Sequence, residues 1–296
     1  MAKRETVQIP PDANLFRRDT VVADGRREFQ SLQEAVDVAT GVVHVGPGTY
    51  GPVTVPVGKT GLSIVGVGNS SVIDGSLEGT TDRGIMNHAD DLTLESLKVR
   101  SDTETAVDSD VTDQPDGMEL YDVTLETDTV TGLNGLRTYG NNTLCLECRV
   151  EAAGTHGMRL RGNFNRVLNS SFLYQIQRSG VYTDGDDCQI SNNVFDDVGD
   201  GYSSISLDSD CADTLTVGNR ILDPSNNGIL DAGTRNVHVG NLVTNPGGVD
   251  IDTSGATDAT VIDAGTTNET VATGSVTLSS GEATIDTGVA TTTTAT

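Results

Sequence analysis

Apolar and polar residues alternate along most of this chain in short runs that return with one phase. The segments Gly135–Gly140 (GLRTYG), Gly157–Gly162 (GMRLRG), Gly180–Gly185 (GVYTDG), Ser204–Ser209 (SISLDS), Gly228–Gly233 (GILDAG) and Gly248–Thr253 (GVDIDT) align, their first residues 22, 23, 24, 24 and 20 positions apart. Two earlier copies open at Gly84 and Ala106. The second residue of every copy is apolar: Ile85, Val107, Leu136, Met158, Val181, Ile205, Ile229 and Val249. A second alternating strand follows each copy, at 92–99, 118–125, 143–150, 165–173, 188–195, 214–222 and 236–243. Its internal turn residue is expected at Ser96, Asp122, Asn193, Asn219 and Asn241. Asparagine tolerates a left-handed backbone, and stacked asparagine side chains can hydrogen-bond from one copy to the next.

Two short strands and polar corners about every 22 residues, with no helical period between them, predict a parallel β-solenoid. The second residues should then stack inside, about 4.8 Å apart. An antiparallel sandwich would not hold one phase through eight copies, and a mixed α/β fold needs crossover helices that the pattern lacks. Upstream, Ser31–Ala39 reads as a short helix, with Ser31 as N-cap and Glu34 three residues on, placed to close the open end of the core.

The opening strands carry a resemblance. Phe29, Ser31 and Ala35, then Val43-x-Val45-x-Pro47-Gly48-x-Tyr50, then Ile64-x-Gly66-x-Gly68 are similar to the start of pectin-lyase-like right-handed parallel β-helices. The resemblance covers about residues 26–265 and implies an all-β right-handed helix with a short N-terminal capping helix. It leaves function open, because polysaccharide lyases, glycoside hydrolases, epimerases, viral tail spikes and inert adhesins share the fold. The expected organisation is a docking arm over 1–25, the helix over 26–265, and a small β-rich segment over 266–296 that another chain could complete.

Charge narrows the setting. The chain has 43 acidic against 18 basic residues, a net −25, and of its acids 31 are aspartate. Only Lys3, Lys59 and Lys98 are lysines. Nucleic-acid binding is excluded, since phosphate contacts need clustered bases. No apolar run approaches the roughly 18 residues that span a bilayer. A self-repelling acidic surface is relieved by concentrated salt, and the composition resembles that of extreme halophiles. Met1–Phe16 shows no apolar stretch of signal-peptide type, so a protein released without a cleaved signal is expected.

Candidate chemistry lies on the outer side of the first strands. Position three reads Met86, Asp108, Arg137, Arg159, Tyr182, Ser206, Leu230 and Asp250; position five reads His88, Asp110, Tyr139, Arg161, Asp184, Asp208, Ala232 and Asp252. Arg137, Tyr139, Arg159, Arg161 and Tyr182 form the expected ligand-binding strip, the arginines for an acidic sugar and the tyrosines for a pyranose face. Asp184 and Asp208, one turn apart, are the candidate catalytic pair, at about the 5 Å spacing of a retaining glycosidase and with one carboxyl raised by the other. Surface stacking of abundant aspartate explains the same pair without catalysis. Asp184, Asp186, Asp208 and Asp210 are a weak candidate for Ca²⁺; no cofactor is otherwise required.

Gly185-Asp186-Asp187-Cys188 is similar to the polygalacturonase aspartate pair, but the Asn-Thr-Asp and Gly-His-Gly elements are missing, and Thr155-His156-Gly157 lies on the wrong side. Arg220 and Arg235 do not fit a lyase base. The four histidines are dispersed and expected on surfaces or strands. Cys148 and Cys188 are expected inward; whether Cys145, Cys148, Cys188 and Cys211 are bridged is open. The expectation is a virion surface protein of a halophile virus (spike, fibre or capsid turret) that contacts host surface glycan or glycoprotein. As the resemblance implies, it would be a homotrimer, docked to other virion proteins through its arm. A secreted polysaccharide lyase or glycoside hydrolase, and a cellular adhesin, are the alternatives.

Overall fold

The computed structural model describes residues 21–23, 27–29, 31–77, 83–109, 111–130 and 132–262, and beyond them the strands Asn268–Val271, Gly274–Val276 and Thr284–Ile285. Residues 1–20, most of the expected arm, and Asp110 lie outside the described residues. The chain winds into a parallel β-solenoid of about nine turns with one helix near its N-terminus. No helix among the described residues is long and apolar enough to cross a membrane.

Each turn has three strands, not two. The first face is an 11-stranded sheet of short strands such as Leu136–Thr138, Met158–Leu160, Val181–Thr183 and Ile205–Leu207. The expected second strand is split by a corner and supplies two further faces, joined in a 20-stranded sheet. Early in the solenoid the split is only a bend: Thr93–Ser101 and Glu119–Thr127 run unbroken through Ser96 and Asp122, whose φ are +50° and +52°. Later it becomes a gap, as between Gln189–Ser191 and Val194–Asp196.

The first-face register is one register. Val53, Ile85, Val107, Leu136, Met158, Val181, Ile205, Ile229 and Ile251 are successive partners along the sheet. All of them are buried in the core. Val249, expected to close this column, does not: Ile251 takes the place and Val249 is half-buried in the loop before it. The glycine that opens many repeats is needed because the next turn passes close by. A Cβ on Gly157 would stand 2.6 Å from the Gly180 carbonyl oxygen, and one on Gly135 2.7 Å from that of Gly157.

Polar columns hold the corners. Asn193, Asn219 and Asn241 do stack as expected, but the left-handed residue is the one before each: Asn192, Gly218 and Gly240, at φ +56°, +62° and +58°. That geometry turns the three asparagines inward. The backbone and side-chain amides of Asn193 both donate to Asn219 Oδ1 at 3.0 Å, and those of Asn219 to Asn241 Oδ1 at 3.1 and 2.8 Å. Below them the Ser170 amide donates to Asn193 Oδ1, and the Cys148 amide to Ser170 Oγ. An outer column does the same at the preceding corner, where the amides of Asp116, Asn141, Asn163, Asp186 and Ala212 donate in turn to Oδ1 of Asp90, Asp116, Asn141, Asn163 and Asp186.

The helix Leu32–Val38 caps the solenoid as expected, burying Leu32, Ala35 and Val36, with the Glu34 amide donating to Ser31 Oγ. Its Gln33 side chain acts as a substitute strand: Nε2 donates to Thr54 O at 2.9 Å and Oε1 accepts from the Thr54 amide at 2.8 Å. This covers the edge that the first face would otherwise expose. Lys59 Nζ donates to the carbonyls of Asp37 and Ala39 at the helix C-terminus. Val21–Ala23 pairs antiparallel with Arg27–Phe29 and with Val42–Val45, so the end of the 1–25 range is part of this cap. At the other end, Asn268–Val271 and Gly274–Val276 pair parallel with Ile251–Thr253 and Ala259–Ile262, so both sheets run past residue 265.

Replacing Asn219 by Ala strands several buried backbone groups at about 1–3 kcal/mol each. Asn219→Ala should therefore lower unfolding free energy by about 3 kcal/mol in urea titration, while Ala at exposed Gln177 stays within about 0.5 kcal/mol. Equal effects at the two positions would show that the column is not a stabilising element.

Candidate functional site

The first face presents its outer side chains in the same register that aligns its core. Arg137 stands beside Asp108 and Arg159, and Arg159 beside Tyr182 and Arg137. The positions are thus adjacent as expected, but the side chains are sorted by their partners.

Asp108, expected outward, is 1% exposed. Arg137 clasps it with both prongs, Nε to Oδ1 at 2.8 Å and Nη2 to Oδ2 at 2.6 Å, and Arg83 Nε stands 2.8 Å from Oδ2. Asp250 is likewise buried, because the phase slip at Val249 moves it off the outer column. Arg161 Nε donates to Asp184 Oδ2 at 3.0 Å on the following turn. Both Arg137 and Arg161 lie over the Tyr139 ring, at 5.7 and 5.3 Å from its centroid. Arg159 lies over the Tyr182 ring at 5.4 Å. Those cation–ring contacts back both tyrosine rings with guanidinium groups.

The candidate acid pair is divided between different partners. Asp208 accepts the Tyr182 hydroxyl and the Ser209 amide. The Tyr182 hydroxyl, against some desolvation, holds the Asp208 carboxyl below the usual carboxylate range, with Ser209 and the charge of Arg159 adding to it. Burial and the Asp208 charge push the Tyr182 phenol up. A general acid needs a raised carboxyl; Asp208 is shifted the other way, and Asp184 is ion-paired to Arg161. The raised carboxyl expected of one member of the Asp184–Asp208 pair is therefore not found at Asp208.

The Ca²⁺ expectation fails on the same ground. Asp186 Oδ1 is committed to the outer corner column, Asp184 and Asp208 are engaged as above, and Asp210 is exposed beyond them. Among the described residues no group of three or more His, Cys, Asp or Glu side chains could hold a metal ion. The residues do not fit the ion.

All four cysteines are buried and free. Burial raises the Cys188 and Cys211 thiols, the latter to about 12, which leaves them inert fillers of the core.

Two histidines are buried: His238 on the strand Val237–Val239, within the expected surface-or-strand placement, and His156 in a loop, outside it. His238 is fully buried: Nε2 meets Asp231 Oδ2 at 3.0 Å and Nδ1 meets Thr216 Oγ1 at 2.8 Å. Asp231, fully buried too, accepts from Asn236 Nδ2 and the Gly233 amide, both at 2.8 Å. Desolvation alone would raise this carboxyl, but the bonds from His238, Asn236 and Gly233 outweigh it and hold it low. The trio has the order of a hydrolytic triad, yet it is sealed inside the solenoid and serves packing. His238 lies between Val237 and Val239, so alternation read from those valines assigns it to the wrong side. His156 is 8% exposed, in the loop entering Met158–Leu160, with its ring centroid 4.9 Å from that of Tyr182. Sequence reasoning missed it, because nothing in its spacing marks it.

No protein-family model matches the chain, and no curated protein matches it in sequence. Solved structures do share its architecture. ORF18 of Geobacillus virus E2 superimposes at TM-score 0.58 with 14% identity, over 83% of this chain and 56% of that one. The enzymatically active domain of tailspike protein 2 of bacteriophage CBA120 gives 0.56 and 12%, over 86% and 44%. Pectate lyase Pel9A gives 0.52 and 11%, over 88% and 76%. The chain thus spans about half the length of the first two. At such identities the likeness is one of fold, and in fold the chain is a parallel β-helix of the pectate lyase and tailspike kind.

Two outcomes follow from these pairings. Arg137→Gln removes the clasp on a buried carboxylate and should cost about 3 kcal/mol, whereas Arg161→Gln, at a part-exposed pair, should cost under about 1 kcal/mol; similar melting temperatures for the two variants would contradict the sorting. Because the Asp231 carboxyl is depressed in the folded state, its contribution is complete above the unfolded value of about 3.9 and is lost as pH falls through the lower folded value. Acid unfolding of Asp231→Asn should accordingly be less steep than that of the wild type, and superimposable acid limbs would remove Asp231 from the pH dependence.

Proposed function

We propose that this chain is a virion-surface protein, a spike or fibre of a virus of salt-rich environments, whose first face contacts a host surface glycan. The observation that carries the reading is the pair of arginine-backed tyrosines, Tyr139 and Tyr182, on one face of a rigid stack. They are two turns apart, about 10 Å, close to the length of a disaccharide. Aromatic residues make up only 4% of the chain, so two on one strip are a concentrated feature. Flat rings backed by guanidinium groups suit the apolar face of a pyranose, and the polar groups between them suit its hydroxyls.

Two of the solved structures that share the fold are viral, one of them a tailspike; the third is a pectate lyase. These support a surface role and leave binding and cleavage as the two possibilities. The depressed carboxyl of Asp208 favours binding. A net charge of −25 favours a medium in which salt screens it. The reading includes a homotrimer docked through the residues before Val21.

The test is to incubate the full chain, in multimolar KCl, with purified surface glycan of a halophilic host. Expected are binding by a trimeric species in light scattering, a melting temperature that climbs from dilute buffer into multimolar KCl, and a tenfold or greater loss of affinity in Tyr139→Ala/Tyr182→Ala. Glycan chains should keep their length. Shortening that Asp184→Asn/Asp208→Asn abolishes would replace this reading with an enzyme, and no binding to any host glycan would end it.

A further inference from the structure

Arg159 differs from the other arginines of the first face. Arg137 and Arg83 share Asp108, and Arg161 has Asp184. Arg159 is half-buried, its Nε is shielded from solvent without a hydrogen-bond partner, and among the described residues no carboxylate forms an ion pair with it. Asp208, whose carboxyl feels the charge of Arg159, is taken by the Tyr182 hydroxyl and the Ser209 amide. In a chain with 43 acids, a half-buried cation left without one is an exception that costs free energy until something pairs with it.

Three further groups gather at the same corner, between the first face and the loops that lead into it. His156, 8% exposed, has Nδ1 buried with no partner. Arg178 lies over the Tyr202 ring at 5.4 Å, and Tyr202 is 46% exposed. The Arg178 amide donates to the Thr155 carbonyl at 2.9 Å, next to His156, and the His156 ring lies 4.9 Å from the Tyr182 ring that Arg159 covers at 5.4 Å; burial, then the charges of Arg159 and Arg178, push the His156 imidazole down to about 4. The corner therefore concentrates positive charge, with an unpaired side chain more than nine-tenths buried beside it and an exposed aromatic face at its rim.

We propose that this corner, formed by Arg159, Arg178 and His156 with Tyr182 and Tyr202 at its edges, binds the anionic group of a charged sugar, a carboxylate or a sulfate ester. The proposal rests on the glycan-contact reading and adds its selectivity: negative charge is accepted at Arg159, which is unpaired, and not at Arg137 or Arg161, which Asp108 and Asp184 already neutralise. A guanidinium group is suited to both anions through paired N–H donors.

Two measurements test it on the full chain. In the first, inorganic sulfate replaces chloride at constant ionic strength. Sulfate raises melting temperatures generally by exclusion from the surface, so the readout is the difference between variants. Wild type and the control Arg235→Gln, at a distant exposed corner, should gain more than Arg159→Gln and Arg178→Gln. Equal gains in all four overturn the site. Arg159→Gln leaves no carboxylate without its bond, so it should fold, and near-ultraviolet circular dichroism verifies that.

In the second, calorimetric titration compares a hexuronate oligosaccharide with its carboxyl-reduced form, and a sulfated oligosaccharide with its desulfated form. Wild type should bind one charged form at least tenfold tighter than its neutral counterpart, and Arg159→Gln should lose that preference; which pair shows it identifies carboxylate or sulfate. Equal affinity for charged and neutral forms overturns the selectivity while leaving glycan contact standing. Failure of every sugar to bind the wild type overturns both.

Discussion

Most strands of this chain are three residues long, too short to stand alone, and what makes them a structure is a single register. Each short strand hydrogen-bonds to the equivalent strand one turn before and one turn after, and the offset along the first face is the same from Val53 to Ile251. The consequence is strict. A residue type placed at one position is repeated in space about every 4.8 Å, so apolar positions become a continuous core and polar positions become continuous columns. Phe172 and Phe195, stacked 4.6 Å apart with planes 8° from parallel, show the apolar case. The asparagine column shows the polar case: an amide both donates and accepts, so identical side chains can satisfy one another without limit, whereas stacked carboxylates would repel. Where aspartates do stack, as at Asp90 and Asp116, each carboxylate accepts a backbone amide from the next turn instead of meeting another charge.

That constraint explains how far the sequence could be read. The first face repeats glycine followed by an apolar residue, and both have a steric cause, so the column from Ile85 to Ile229 was legible. Its end was not: Gly247-Gly248-Val249 imitates the start of a repeat, but the true strand begins two residues later, at Ile251. The remaining two faces were legible as a repeat and illegible as geometry. A corner residue with positive φ rotates everything after it, and the sequence offers two adjacent candidates, Asn192 and Asn193, with equal propensity. Register with Gly218 and Gly240 in the later turns decides it in favour of Asn192, since only there do the asparagines that follow find partners inside.

The polar interior was the other blind spot. Asp231, Asn236, Thr216 and His238 are all fully buried, and counting apolar residues sends every one of them to the surface. They are tolerated because they satisfy one another and the outgoing backbone; a half-satisfied version would cost more than an apolar core. Candidate chemistry suffered the same way. Asp184 and Asp208 were visible as a spacing, but the partners that fix their state, Arg161 and Tyr182, each come from the turn before. One-dimensional spacing locates the neighbours of a group and does not say which neighbour its side chain will choose.

The same stacking also leaves one of the described first-face arginines, Arg159, without an ion-paired acid. Reading outward along position three of the first face, the order is Asp108, Arg137, Arg159, Tyr182, Ser206. Arg137 pairs backward with Asp108, and that bidentate clasp exhausts the only carboxylate in the column on that side. Arg159 is then flanked by an arginine already neutralised and by a tyrosine whose hydroxyl has claimed Asp208. An acid in place of Tyr182 would give Arg159 a counter-ion on the adjacent turn. A solenoid thus writes a charge sequence directly into a surface: pairs cancel between adjacent turns, and an odd residue in the series is left as an uncompensated charge at a defined depth, on a backbone too regular to move toward it.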